Sequence, residues 1–235
     1  MSSDGGIQGC FFFNRYFALK GYIWHFMRIK DKQRLAELLL LFVLLPLLLA
    51  VPVPLTIRLV LGLLGLIYII IISGKHRFFS FRISSDGIKG QHLFFLLAKF
   101  VVVALVTYSI VSISYPKQLF LPIRINPQQF IIICGIYTLA SVVPQSFIYR
   151  YFFYHRYKQI FPNDSVFLFV NGLLFSLAHL FFYNGLVLLM TLIGGWIFCH
   201  TYLRTRSLGF SIFEHALYGC WIYAVGLGDI LGFPN

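Results

Sequence analysis

Residues 35–52 read LAELLLLFVLLPLLLAVP, and within them Glu37 is the lone charge. A helix over those positions rises about 27 Å, close to the roughly 30 Å of bilayer hydrocarbon. Apolar runs of comparable length recur at 56–73, 93–114, 128–154, 164–182, 185–202 and 208–227. The seven together predict an all-α fold, a polytopic integral membrane helical bundle of about seven transmembrane helices. Composition points the same way. Of 235 residues, 59% are hydrophobic and only 11% are charged, whereas soluble domains carry about 25% charged residues. Too few polar groups remain to cover a water-facing surface.

From Cys10 to Ile29 the chain interleaves Phe11, Phe12, Phe13, Tyr16, Phe17, Tyr22 and Trp24 with Arg15, Lys20 and Arg28. That mixture suits an N-terminal interfacial helix lying in the headgroup layer, and it lacks the ordered regions of a cleaved signal peptide. The expected organisation is therefore a cytoplasmic or interfacial segment at 1–34, three transmembrane helices in 35–127, a core of polar-bearing helices at 128–227 and a tail at 228–235. Val51-Pro52-Val53-Pro54, Ser84-Ser85-Asp86-Gly87, Tyr115-Pro116-Lys117 and Phe161-Pro162-Asn163-Asp164 read as turns.

Net charge is +12, from 19 Lys and Arg against 7 Asp and Glu. Threading seven spans puts fifteen of the cations on one side: Arg15, Lys20, Arg28, Lys30, Lys32, Arg34, Lys75, Arg77, Arg82, Lys89, Arg150, Arg156, Lys158, Arg204 and Arg206. The other side keeps Arg58, Lys117 and Arg124, with Lys99 inside the third span. Positive-inside retention explains the bias, so the N-terminus is expected in the cytoplasm and the C-terminus outside, in a membrane such as the bacterial inner membrane. No nucleic-acid partner is expected, because no recognition module accompanies the charge. Cys10, Cys134, Cys199 and Cys220 are widely spaced and read as packing residues rather than a disulfide or zinc framework.

Polar side chains within spans are costly and are candidates for function. They gather in the last hundred residues, in Pro144-Gln145-Ser146-Phe147-Ile148-Tyr149-Arg150, in Phe175-Ser176-Leu177-Ala178-His179 and in Glu214-His215-Ala216-Leu217-Tyr218-Gly219. With the fourth helix continued to Tyr157, Ser146, His179 and His215 lie roughly 16, 22 and 12 Å from the cytoplasmic helix ends. Long side chains at those depths can meet in one cavity. Two histidines on separate helices are open to three readings: ligands of a divalent metal such as zinc, a water-activating pair, or buried hydrogen-bonding groups. Zinc in a catalytic site takes three protein ligands, and Cys199, His200 and Glu214 are the nearby candidates for a third. His200, at the end of its span, suits an interfacial role better.

These segments, in this order, resemble the CPBP intramembrane protease family, which includes CAAX prenyl proteases and bacteriocin-processing or Abi-type self-immunity proteins. The family pattern is Glu-Glu-x-x-x-Arg, then Phe-x-x-x-His, then His-x-x-x-Asn or Asp. Here it falls on Gln145, Ser146 and Arg150, on Phe175 and His179, and on His215 and Gly219. The likeness covers about residues 128–225 and includes the run Gly194-Gly195-Trp196 to Ser207-Leu208. It implies an intramembrane metalloendopeptidase in which the first glutamate activates water, the histidines assist and the last polar residue stabilises the oxyanion.

Three positions depart from the pattern. Gln145 cannot accept a proton as a general base must, Ser146 cannot pair ionically with Arg150, and Gly219 has no side chain. Some family members carry Gln followed by Glu, and some carry Glu-His-Ala-Leu-Tyr-Gly, so Ser146 is the decisive loss. Glu214 is the nearest other carboxylate. Adjacent helix positions diverge by about 100°, so it should not share a face with His215, and a salt bridge to Arg150 is its expected role. A neutral histidine can serve as base instead, and Ser146 with His179 or His215 is a possible nucleophile arrangement, although no Gly-x-Ser-x-Gly turn is present.

Three functions stay open on the sequence. The first is an endopeptidase cutting hydrophobic or lipidated membrane peptides through His179 and His215, with Gln145, Ser146, Arg150, Tyr218 and Glu214 around them. The second is a catalytically dead relative that binds a membrane peptide, lipid or partner protein. The third is a transporter or channel.

Overall fold

A computed structural model of the chain describes residues 29–75 and 89–233. The interfacial segment expected before residue 29 and the turn expected at Ser84-Ser85-Asp86-Gly87 lie outside the described residues. Within them there are helices and no strand. Six helices are long and apolar enough to cross a membrane: α1 (Asp31–Ala50), α2 (Leu55–Lys75), α3 (Gly90–Ser114), α5 (Pro127–Ile160), α6 (Asp164–Leu177, prolonged by a 3₁₀ turn Leu180–Phe182) and α7 (Gly185–Thr205). A short α4 (Leu121–Ile125) precedes α5. The fold is thus an all-α polytopic membrane bundle.

The span expected over 208–227 takes a different form. It is α8 (Leu208–Ile222) followed by a π-turn Tyr223–Leu227, and it is not among the six long apolar helices. Its composition explains why. Ser211 and Glu214 are fully buried and His215 nearly so, because α8 packs against α3, α5 and α7. A helix shielded by protein need not be as apolar as one shielded by lipid. By contrast, α2 and α3 present Leu59, Leu63, Phe94 and Ile113 outward, the apolar belt a bilayer covers.

Prolines shape two of the helices. Pro46 and Pro144 each lie two residues past a π-turn, Leu40–Leu44 and Thr138–Val142. Proline lacks an amide hydrogen and crowds the carbonyl four residues back; a widened turn relieves that crowding and lets the helix continue. Helix α5 therefore runs through Pro144 and on to Ile160, as the depth argument required, and a second π-turn at Phe147–Phe152 follows its polar segment.

Packing is tightest between α6 and α7. A Cβ on Gly195 would lie 2.9 Å from the Gly172 Cα, and one on Gly172 would strike the Trp196 indole. Small residues let membrane helices approach where no hydrophobic force draws them together. Helix α1 docks on α5 through Phe42, whose ring meets Tyr149, Phe153 and Tyr157 edge-on at 5.0–5.7 Å.

The connections end in polar caps. Asn126, Asn163, Asn184 and Ser207 accept from the amides of Gln129, Val166, Leu186 and Phe210, satisfying donors that a helix start leaves free. Several cationic ends meet as the charge count requires. Arg34 bonds Gln159, Arg156 bonds Glu37, Lys158 pairs with Asp164 and Arg206 lies over Tyr154, so the start of α1, the end of α5 and the end of α7 share one side. Cys134, Cys199 and Cys220 are free thiols.

Candidate functional site

The polar segments of α5, α6 and α8 converge on a cavity of about 530 Å³. Gln145, His179, His215, Tyr218 and Gly219 all line it, along with Tyr137, Ser141 and Thr191. The remaining wall is apolar and comes from Phe175, Phe198 and Met190 and from one side of α3, including Val103, Val106 and Thr107. Helix α3 was expected among the first three spans, which the sequence marked only as hydrophobic.

Phe175 organises the two histidines. Its ring packs against His179 at 4.8 Å and against His215 at 5.7 Å between centroids. Its carbonyl accepts from His179 Nδ1 at 2.7 Å, so in the neutral ring Nε2 carries the free lone pair. His215 stacks on Phe198 at 4.5 Å, and its Nδ1 lies 3.5 Å from Ser146 Oγ, at the edge of hydrogen-bonding distance. Gln145 donates to Ser141 at 2.8 Å while its Oε1 is buried without a partner.

Arg150 is buried beside the cavity rather than lining it. Nη1 donates to Asn171 Oδ1 at 2.5 Å, and Asn171 donates in turn to the Tyr149 carbonyl at 2.7 Å. The guanidinium also sits 4.8 Å from the Phe175 ring centre, a contact in which the π-face offsets part of the positive charge.

The expected salt bridge from Glu214 to Arg150 is absent. Glu214 and His215 do diverge as adjacent helix positions must, and the divergence turns the carboxylate toward α3 and α7. There Lys99 Nζ donates to Glu214 Oε1 at 2.7 Å and to Thr201 Oγ1 at 3.0 Å. Lys99, stray in the sequence, is the partner of Glu214. Sequence reasoning also missed Asn171, although a lone Asn in the apolar run FLFVNGLLF carries the same cost that marked the histidines.

Zinc does not suit the donor set. Among the described residues no three His, Cys, Asp or Glu side chains come together. His179 and His215 stand without a third ligand, since Glu214 is held by Lys99 and His200 is exposed beside Arg204 at 3.5 Å. Among the described residues no carboxylate lines the cavity either. What the site offers chemically is two imidazoles, an amide and phenolic hydroxyls in an apolar chamber.

Residues 127–221 match the family model of the Rce1-like type II CAAX prenyl endopeptidases. The matched segment begins at α5 and takes in the polar residues of the site described above except Lys99 and Thr107 of α3, in agreement with the CPBP resemblance of the motifs. No curated protein and no solved structure matches the chain.

Proposed function

We propose that this CAAX-protease-like membrane protein holds the apolar or lipidated end of a membrane-embedded peptide in its cavity and does not hydrolyse it through a carboxylate-activated water. The observation that carries this reading is that, among the described residues, every group lining the chamber is apolar, neutral polar or imidazole, with Glu214 turned away onto Lys99. Activated-water attack requires a group that takes a proton from water, and a glutamine amide is no such group. The chamber suits an apolar guest. Val102, Val106 and Ile110 of α3 and Leu189 and Ile193 of α7 line it and are also exposed on the outside of the bundle, so a chain dissolved in the bilayer can enter sideways. Membrane lipid is the natural competitor.

The decisive test is Ser146→Glu, followed with a farnesylated peptide in micelles. The natural protein binds the peptide and leaves it intact; the substituted protein gains cleavage, because the new carboxylate stands beside His215. Cleavage by the natural protein that disappears in a His179→Ala, His215→Ala double variant refutes the reading.

One observation favours a second reading, residual hydrolysis by a histidine base. Ser146 Oγ lies within 3.5 Å of His215 Nδ1, and neutral imidazole accepts protons near pH 7. That reading requires cleavage to survive Gln145→Ala and to vanish with His215→Ala alone. For orientation, we assign the N-terminus to the cytoplasm of a bacterial inner membrane, on the clustering of the basic helix ends and the positive-inside rule; cysteine accessibility at Lys158 against Lys117 tests it.

A further inference from the structure

Tyr137 is a cavity residue that none of the recognised motifs contains. It precedes the first π-turn of α5 and lines the chamber together with Ser141 and Gln145, positions one and two turns further along the same helix. Its ring is held from two sides: Phe233 packs on it at 4.8 Å and the His215 ring meets it edge-on at 6.4 Å. The hydroxyl points across to α8. A Cβ built on Gly219 would overlap the Tyr137 hydroxyl and the adjoining ring carbons. The space vacated by the absent side chain at 219 is therefore filled by a phenol from another helix.

Among the described residues the Tyr137 hydroxyl makes no hydrogen bond; on the same helix Gln145 Oε1 is buried with no donor to accept from, and across the chamber the Tyr218 hydroxyl is buried without a partner. The amide oxygen of Gln145, buried and unused in an apolar chamber, is costly unless a ligand meets it, and the Tyr137 hydroxyl is a donor on the same wall. The two are complementary to one peptide unit, whose carbonyl accepts and whose amide hydrogen donates.

We infer that the Tyr137 hydroxyl, brought into the cavity by the missing side chain at Gly219, is the donor that fixes a carbonyl of the bound ligand and selects carbonyl-bearing apolar chains over plain ones. The inference rests on the cavity-binding reading above and assigns its specificity to one atom. No bond is made or broken; the hydroxyl hydrogen is shared with the carbonyl oxygen.

The experiment measures dissociation constants of the full chain in micelles for two probes: a farnesylated tetrapeptide, which carries carbonyls, and farnesyl methyl thioether, which has the same tail and none. Tyr137→Phe keeps the ring between Phe233 and His215 and removes only the hydroxyl, and it is expected to weaken the peptide about five- to tenfold while leaving the thioether unchanged. Gly219→Ala, which pushes the hydroxyl out of its place, is expected to reproduce that selective loss. Unchanged peptide affinity in Tyr137→Phe, or equal losses for both probes, overturns the inference and leaves the cavity reading standing. Failure of the natural protein to bind either probe overturns both.

Discussion

Lys99→Met is the substitution for which the structure makes the largest and most separable demand. Lys99 donates to Glu214 at 2.7 Å and to Thr201 at 3.0 Å, with the carboxylate wholly buried and about a third of the Lys99 side chain exposed. Removing one member of a buried pair strands the other charge, at a cost of about 3–5 kcal/mol. The partial exposure of Lys99 puts this pair at the lower end, about 3 kcal/mol. For a chain of this size that corresponds to a fall of about 6–12 °C in the melting midpoint. Thermal unfolding in micelles can be followed through Trp221, whose indole donates to Thr107 at 2.8 Å across the same α3–α8 contact. Replacing Glu214 by Gln in the Lys99→Met background removes the stranded charge and should restore more than half of the loss. A Lys99→Met midpoint within about 2 °C of the natural protein, or a double variant no more stable than the single one, would show that the pair does not hold these helices together.

Other substitutions probe neighbouring parts of the fold. Asn171→Leu leaves the Arg150 guanidinium without its side-chain acceptor and should cost about 3 kcal/mol, whereas Asn171→Asp, read by the same melts, keeps that acceptor, loses the amide that donates to the Tyr149 carbonyl, and should cost less. Gly195→Val drives methyl groups into the Gly172 backbone of α6 and should cost about 1–3 kcal/mol; a cross-link yield between cysteines placed on α6 and α7 reports the separation. Ser207→Ala removes the cap of α8 and should cost about 1 kcal/mol, seen as faster amide exchange at Phe210, the residue whose amide Ser207 holds.

The spans and the meeting of His179, His215, Gln145 and Tyr218 were legible in sequence, because each rests on a local property: the length of an apolar run, or the cost of a polar atom in lipid. Partnerships between helices were less so. Helical spacing gives the angle between Glu214 and His215 but not which helix stands on either side, so Glu214 was assigned to Arg150 when its neighbour is α3. Tyr137 escaped notice because tyrosine is unremarkable in a membrane helix; its meaning lies in the emptiness at Gly219, 82 positions away. Helix α8 was counted with the other spans because its length qualified, yet Ser211, Glu214 and His215 on it are sheltered by packing against other helices.

Arg150 shows how the bundle carries a cation beside the chamber with serine at position 146. Its charge rests on an asparagine and on the faces of two phenylalanines, so the fold draws on neutral groups alone to keep a cation in its interior. The wall of the chamber beside Arg150 is therefore held without any acid at position 146, so a change of charge there would alter the chemistry of the cavity before it altered its shape.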